Sequence, residues 1–287
     1  MIQGRLIKGV GGLYFVAADG LVYECKARGI FRKKRIIPTI GDNVEISVQS
    51  EGKGTIEKIL PRRNFLIRPR VTNIDCAVIT FAAKSPDINF DLLDRFLILA
   101  EYNKIEDIVI CVNKSDLSAV DKVVEIYGGI YTVFAVSALE NEGIEPLFKH
   151  LENKVSVLAG PSGVGKSSLI NRLIPGEKRQ TGEISRKIEH GKHTTRQVEL
   201  LEAGENTYIV DSPGFTSLGI EMIPPEELVH CFREFEPYLD GCRFNDCRHI
   251  AEPDCGLKEH VGKEISPERY ERFVKLYEML CDAGQNY

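Results

Sequence analysis

At 287 residues, with 43% hydrophobic and 28% charged side chains, the chain has the composition of a globular protein and the length for two domains, or three if some are small. The first twenty residues lack a signal peptide's apolar run, and no later stretch reaches the about eighteen apolar residues of a membrane span, so a cytoplasmic protein with no membrane partner is expected. Charge is uneven: residues 1–68 carry thirteen basic and six acidic side chains, so within a net charge of −5 a head of +7 precedes a body of −12.

In the head, Leu21, Tyr23 and Cys25 alternate with Val22, Glu24 and Lys26, and Val44, Ile46 and Val48 alternate with Asn43, Glu45 and Ser47. That is the period of half-buried strands, and turns at Gly11-Gly12, Asp19-Gly20, Gly41-Asp42 and Gly52–Gly54 separate about five of them. A small Greek-key barrel of the OB type, a common oligonucleotide binder, is expected. The run Arg32–Arg35 favours a nucleic-acid partner over a merely solvated surface. Tyr14, Phe15, Tyr23 and Phe31 are read as base-stacking or core residues.

From residue 75 apolar strands alternate with helices, the mark of a parallel α/β sheet. The strands fall at Cys76–Phe81, Ile108–Val112, Tyr131–Val136, Val155–Ala159, Gln197–Leu201 and Tyr208–Val210, with a hairpin turn at Ala203-Gly204; helices lie near 90–102, 119–127, 144–152 and 166–174. After about residue 222 the spacing of Leu228, Cys231, Phe232 and Phe235 predicts a helix. A last helix opens with Ser266 as N-cap and Pro267, and its stripe of Tyr270, Phe273, Val274 and Tyr277 is read as packing against the central domain. The working division is 1–68, 69–221 and 222–287.

Gly160, Pro161, Ser162, Gly163, Val164, Gly165, Lys166 and Ser167, followed by Ser168, fit GxxxxGK[ST] between a strand and a helix. Such a loop curls backbone N–H groups round a phosphate, with Lys166 reaching the β- and γ-phosphates and Ser167 ligating Mg²⁺. Asp211 and Gly214 form DxxG at another strand end, for Mg²⁺ and γ-phosphate sensing. Asn113, Lys114, Ser115 and Asp116 follow a further strand; the Asp116 carboxylate can accept two hydrogen bonds that guanine offers and adenine does not. Ser137 and Ala138, before Leu139, sit one strand later, where a backbone N–H would meet the guanine O6.

The order is inverted relative to most GTPases: the base-reading motifs precede the phosphate loop. The segment after Asp211 therefore feeds straight into the tail, and γ-phosphate sensing is expected to move that tail. Residue 215 is Phe where many GTPases carry a water-orienting Gln. His193 is the candidate for positioning water, with a surface histidine as the competing reading. Thr195, or else Thr194, is the candidate second Mg²⁺ ligand.

Cys242, Cys247, His249 and Cys255 offer three thiolates and an imidazole within fourteen residues, a tetrahedral Zn²⁺ set of the structural kind. Arg243, Arg248 and Lys258 around it are candidates for a second RNA contact. Cys25, Cys76, Cys111, Cys231 and Cys281 are read as buried structural thiols.

Taken together these motifs resemble the ribosome small subunit-dependent GTPase A (RsgA) family over nearly the whole chain: an OB barrel, then N-K-S-D, S-A-L, G-P-S-G-V-G-K-S-S, H-T-T-R, D-S-P-G-F and the C-x₄-C-x-H-x₅-C knuckle. The resemblance implies binding to the small ribosomal subunit and its rRNA during late maturation, GTP hydrolysis stimulated by the subunit, and release with GDP. It also supports a catalytic role for His193. A monomer is the default expectation.

Overall fold

The computed structural model describes residues 1–50, 52–67, 69–174, 198–211 and 219–284. The first five strands are β1 (Ile2–Val10), β2 (Leu13–Ala18), β3 (Leu21–Ala27), β4 (Asn43–Ser50) and β5 (Lys53–Ile59), with a short helix α1 (Gly29–Lys33) between β3 and β4. They close into a barrel in the order β1-β2-β3-β5-β4, with β3 and β5 parallel and β4 returning antiparallel to β1. This is the five-stranded Greek-key arrangement of an OB fold. The period-two pattern places Leu6, Val16, Tyr23, Cys25, Val44, Ile46 and Ile56 inside, while Leu21 stays exposed. Phe31 is also buried, so neither it nor Tyr23 presents a face to a base; Tyr14 and Phe15 are half-buried.

Gly41, read from sequence as an ordinary turn residue, lies where the barrel meets the next segment. Its φ is +89° and an added Cβ would sit 2.1 Å from the Thr72 carbonyl oxygen, so only glycine fits. Beside it Asp42 is fully buried and accepts from Arg62 Nε (2.7 Å), Arg62 Nη2 (2.9 Å), Thr72 Oγ1 (2.9 Å) and the Thr39 N–H (2.8 Å). This carboxylate fastens the barrel to a two-stranded ribbon, β6 (Phe65–Leu66) and β7 (Val71–Thr72), that leads into the central sheet.

That sheet has the order β10-β9-β8-β11-β13-β12, built from β8 (Cys76–Ala82), β9 (Asp107–Asn113), β10 (Thr132–Ala135), β11 (Val155–Ala159), β12 (Glu199–Gly204) and β13 (Thr207–Asp211). All neighbours are parallel except β12 and β13. Every residue of the central strand β8 is buried, as a parallel strand covered on both faces requires. The helices are α2 (Phe90–Tyr102), α3 (Asp121–Tyr127), α4 (Ile144–Leu151) and α5 (Lys166–Leu173). Gly204 pairs with Thr207, so the β12–β13 turn falls on Glu205 and Asn206, two residues later than expected. Asn206 takes the φ of +51° that the tight hairpin needs, a conformation asparagine tolerates well. Gln197 lies outside the described residues.

The helix predicted from Leu228 to Phe235 does not form. The segment is a chain of short 3₁₀ turns at Ile220–Met222, Pro225–Glu227, Val229–Cys231 and Glu236–Gly241. No proline falls within 228–235; the helical spacing is instead used to fold Phe232 onto Phe235, with ring centroids 4.8 Å apart, and both onto Phe273. After a four-residue helix α6 (Gly256–Glu259), the helix α7 (Pro267–Gly284) opens as expected, the Ser266 carbonyl accepting from the Tyr270 N–H.

The aromatic stripe of α7 faces the tail itself, which corrects the sequence reading. Phe273 packs edge-on against Phe232 and Phe235, and the Tyr270 hydroxyl donates to the His249 carbonyl. A buried ionic cluster also joins α7 to α2 and α3 of the central sheet. Arg269, completely buried, donates to Glu234 Oε1 (2.6 Å), Glu234 Oε2 (3.0 Å) and Asp94 Oδ1, while Arg272 donates to Asp94 Oδ2. The Tyr127 hydroxyl completes the shell of Asp94 at 2.7 Å. Burial alone would lower the Arg269 pKa, but Asp94 and Glu234 outweigh it and hold the guanidinium charged.

Candidate nucleotide cleft and metal knuckle

The phosphate loop follows β11. An added Cβ on Gly160, at φ +145°, would lie 2.0 Å from the Thr80 carbonyl oxygen of β8. Gly165, at φ +92°, is the left-handed residue that opens α5, and a Cβ there would lie 2.3 Å from Asn113 Nδ2. Gly165→Ala is therefore expected to abolish measurable nucleotide binding while leaving the barrel's circular-dichroism signature intact; titration with a fluorescent guanine nucleotide checks it. Lys166 Nζ donates to the carbonyls of Gly160 (2.7 Å) and Pro161 (2.6 Å), curling over its own loop. Burial lowers its pKa, a penalty that a bound phosphate would offset.

Asn113, the last residue of β9 and 2% exposed, joins the two halves of the cleft. Its Oδ1 accepts from the Ala138 N–H (3.0 Å) and its Nδ2 donates to the Val164 carbonyl (2.9 Å). One amide thus links β9, the Ser137-Ala138 loop and the glycine loop. Lys114, at φ +60°, extends Nζ to the Gly163 carbonyl (2.9 Å) and to that of Ser85. The Ser115 N–H donates to the Val136 carbonyl (3.1 Å), and buried Ser137 turns its Oγ to the Glu140 N–H (3.1 Å). Asp116 remains exposed at the cleft wall.

These groups enclose a cleft of about 360 Å³ lined by Asn113, Lys114, Asp116, Leu117, Ser137, Ala138, Leu139, Gly165, Ser168, Asn171 and Arg172. Arg172 was not singled out from sequence. It donates from Nε to the Ala138 carbonyl (2.7 Å) and from Nη2 to the Leu139 carbonyl (2.9 Å), bracing the Ser137–Leu139 loop. No local pattern announces it, because its partners lie 34 and 33 residues away in the chain. Ser162 and Ser167 are exposed at the loop and at the first turn of α5. The backbone of Asp211 ends β13; its side chain, Gly214, Phe215, His193, Thr194 and Thr195 lie outside the described residues.

Cys242, Cys247, His249 and Cys255 converge, with all four ligand atoms within 4.8 Å of one another. A tetrahedral Zn²⁺ with bonds of about 2.3 Å to sulfur and about 2.0 Å to nitrogen sets sulfurs about 3.8 Å apart and sulfur and nitrogen about 3.5 Å apart. Here Cys242 Sγ lies 3.9 Å from Cys255 Sγ, and His249 Nδ1 lies 3.4 Å from Cys242 Sγ and 3.5 Å from Cys255 Sγ. The donor set and its spacing fit zinc. Burial first pushes the Cys247 thiol up to about 12 and raises that of Cys255; a divalent ion among them would reverse this by stabilising thiolates. Cys247→Ser is expected to lose the knuckle's zinc and raise proteolysis within residues 240–260, as metal analysis and limited digestion would show.

The scattered thiols Cys25, Cys76, Cys111 and Cys231 are buried as expected, whereas Cys281 is half-buried. Among the described residues no helix is long and apolar enough to cross a membrane.

A P-loop α/β sheet whose base-reading motif precedes its phosphate loop, carried behind an OB barrel, defines the class of circularly permuted GTPases. The sequence matches the RsgA GTPase family model over residues 59–221 and the RsgA N-terminal domain model over residues 3–56, and the chain belongs to the RsgA GTPase family. It is 46% identical to the small ribosomal subunit biogenesis GTPase RsgA of Caldanaerobacter subterraneus, over 96% of this chain and 94% of that protein. To the protein of the same name in Clostridium beijerinckii it is 45% identical, over 99% of both. Among solved structures it is similar to YjeQ from Thermotoga maritima (TM-score 0.87, 38% identity, 98% of both chains). It is also similar to YloQ, described as a circularly permuted GTPase (TM-score 0.84, 32% identity, 98% of this chain and 96% of that one). The chain is a GTP hydrolase of this family.

Proposed function

We propose that this GTPase acts in the biogenesis of the small ribosomal subunit, binding the subunit and its rRNA with GTP, being stimulated by it, and leaving with GDP. The observation that supports the reading is the Asn113 amide, which joins the end of β9 and the Ser137-Ala138 loop to the 160–168 loop in one cleft. In this reading Asp116 accepts from the base, the Ala138 N–H side of the cleft meets its O6, and the 160–168 backbone with Lys166 holds the phosphates. Ser167, Thr195 and Asp211 would hold Mg²⁺, which when bound neutralises charge on the phosphate oxygens. Gly214 would sense the γ-phosphate. A working division at 1–68, 69–221 and 222–287 assigns the basic barrel and the zinc knuckle to rRNA, in a cytoplasmic monomer.

An apolar residue at 215 does not orient water, so His193 is assigned that role and the particle is assigned the completion of the site, worth up to about 10⁵-fold in rate. His193→Ala is expected to lower subunit-stimulated turnover about 100-fold or more with little change in GTP affinity. Normal stimulated turnover would remove the assignment. The functional reading is tested by GTP turnover alone and with isolated small subunits, large subunits or naked RNA. Stimulation by small subunits alone is the expected result; equal stimulation by large subunits would overturn it.

A further inference from the structure

We propose that Cys76, Asp107 and His150 form a second metal site, which takes a soft divalent cation such as Zn²⁺ in open, three-ligand coordination at the far end of the sheet from the nucleotide. Cys76 and Asp107 are the first residues of β8 and β9 and stand directly opposite in the parallel register, so their side chains leave the same face of adjacent strands. His150, in the last turn of α4, lies over that face with its ring edge-on to Phe134 at 5.4 Å. The thiol, a carboxylate oxygen and an imidazole nitrogen lie within 4.8 Å of one another. Asp107 and the base-reading Asn113 are the two ends of the same strand, about 20 Å apart at the rise of an extended chain, so this cluster is separate from the cleft.

The donor set is sulfur, nitrogen and oxygen, the mixture that zinc accepts when three protein ligands leave a fourth position for water. His150 Nε2 lies 2.9 Å from Asp107 Oδ2. A tetrahedral ion needs about 3.3 Å between such atoms, so a few tenths of an ångström suffice to admit it. Lys154 Nζ also donates to Oδ2, at 2.7 Å. An ion seated between His150 Nε2 and Oδ2 takes one lone pair of that oxygen and leaves the other to the lysine, which stays as a second-sphere donor, as a ligating carboxylate is commonly held. The lysine also competes by neutralising Asp107, which makes the site weaker than the knuckle. Burial, with Asp107 next, raises the Cys76 thiol, and ligation would release its proton. An ion has a way in, because the Asp107 and His150 side chains keep 29% and 27% of their exposure while Cys76 is closed off beneath them. Filling the site would tie α4 to the leading ends of β8 and β9.

The test is metal content of the full chain after equilibration with excess Zn²⁺ and gel filtration, in wild type, Asp107→Asn and His150→Gln. Two zinc per chain in wild type and one in each variant, with GTP turnover unchanged, is the expected result. With the knuckle preloaded with zinc, Co²⁺ should give a thiolate charge-transfer band in wild type that both variants lose. One zinc per chain in wild type overturns the proposal, as does a second equivalent or a cobalt band that persists in either variant. Cys76→Ser disturbs the core, so the two half-exposed ligands carry the experiment.

Discussion

Asp116→Asn is expected to weaken GTP binding by about 10²–10³-fold and to create affinity for a xanthine nucleotide. The carboxylate lies on the wall of the cleft, and in the proposed reading it would offer two acceptors to the N1–H and 2-amino group of guanine. An amide keeps one acceptor, loses the charge, and turns a donor towards the 2-amino group. A hydrogen bond to a charged group contributes about 1.5–3 kcal/mol, and each 1.4 kcal/mol is tenfold in affinity. Xanthine carries an oxygen at position 2, which the new N–H can satisfy. Competition of guanine and xanthine nucleotides for the cleft, in wild type and variant, reads the exchange directly. Unaltered GTP affinity would place the base elsewhere.

Asp94→Ala should be the most destabilising single change outside the cleft, costing about 3–5 kcal/mol, because it strands two buried guanidinium groups. Arg272→Met should cost less, since Asp94 keeps Arg269 and the Tyr127 hydroxyl. Urea unfolding followed by tyrosine fluorescence would order the two variants. If they were equally mild, the docking of α7 on α2 would rest on apolar contact alone. The cluster also bears on the expectation that γ-phosphate sensing moves the tail. A whole-tail rotation would have to uncover Asp94 and Arg269, so movement confined to the segment entering the tail is the cheaper route. Hydrogen exchange of α7, compared between GDP and a GTP analogue, separates the two.

The legible parts of the molecule were those written in local patterns. Alternation in the head gave the barrel because each strand has one wet face, and Val155–Ala159 followed by the glycine loop gave the phosphate end of the cleft. The knuckle was legible because its ligands lie within one short segment. The tail's 3₁₀ turns were not, since Leu228, Cys231, Phe232 and Phe235 satisfy a helical period equally well, and only the packing of Phe232 and Phe235 on Phe273 decides between them. Asp42 and Arg172 were missed for another reason. Each acts on partners distant in the chain, Asp42 on Arg62 and Thr72, Arg172 on Ala138 and Leu139, and no local pattern announces them. The two motifs in inverted order were readable only because the sheet that unites them is indifferent to the order of its connections.

The amide of Asn113 has a thermodynamic corollary. With one planar group spanning Ala138 and Val164, displacing either loop costs a hydrogen bond to the same side chain, so the two loops are expected to be energetically coupled. A ligand that grips only the purine is then expected to steady the glycine loop, and a bare polyphosphate the Ser137–Leu139 loop. Each fragment should prepare the protein for the other, giving the intact nucleotide an affinity greater than its separated pieces would suggest.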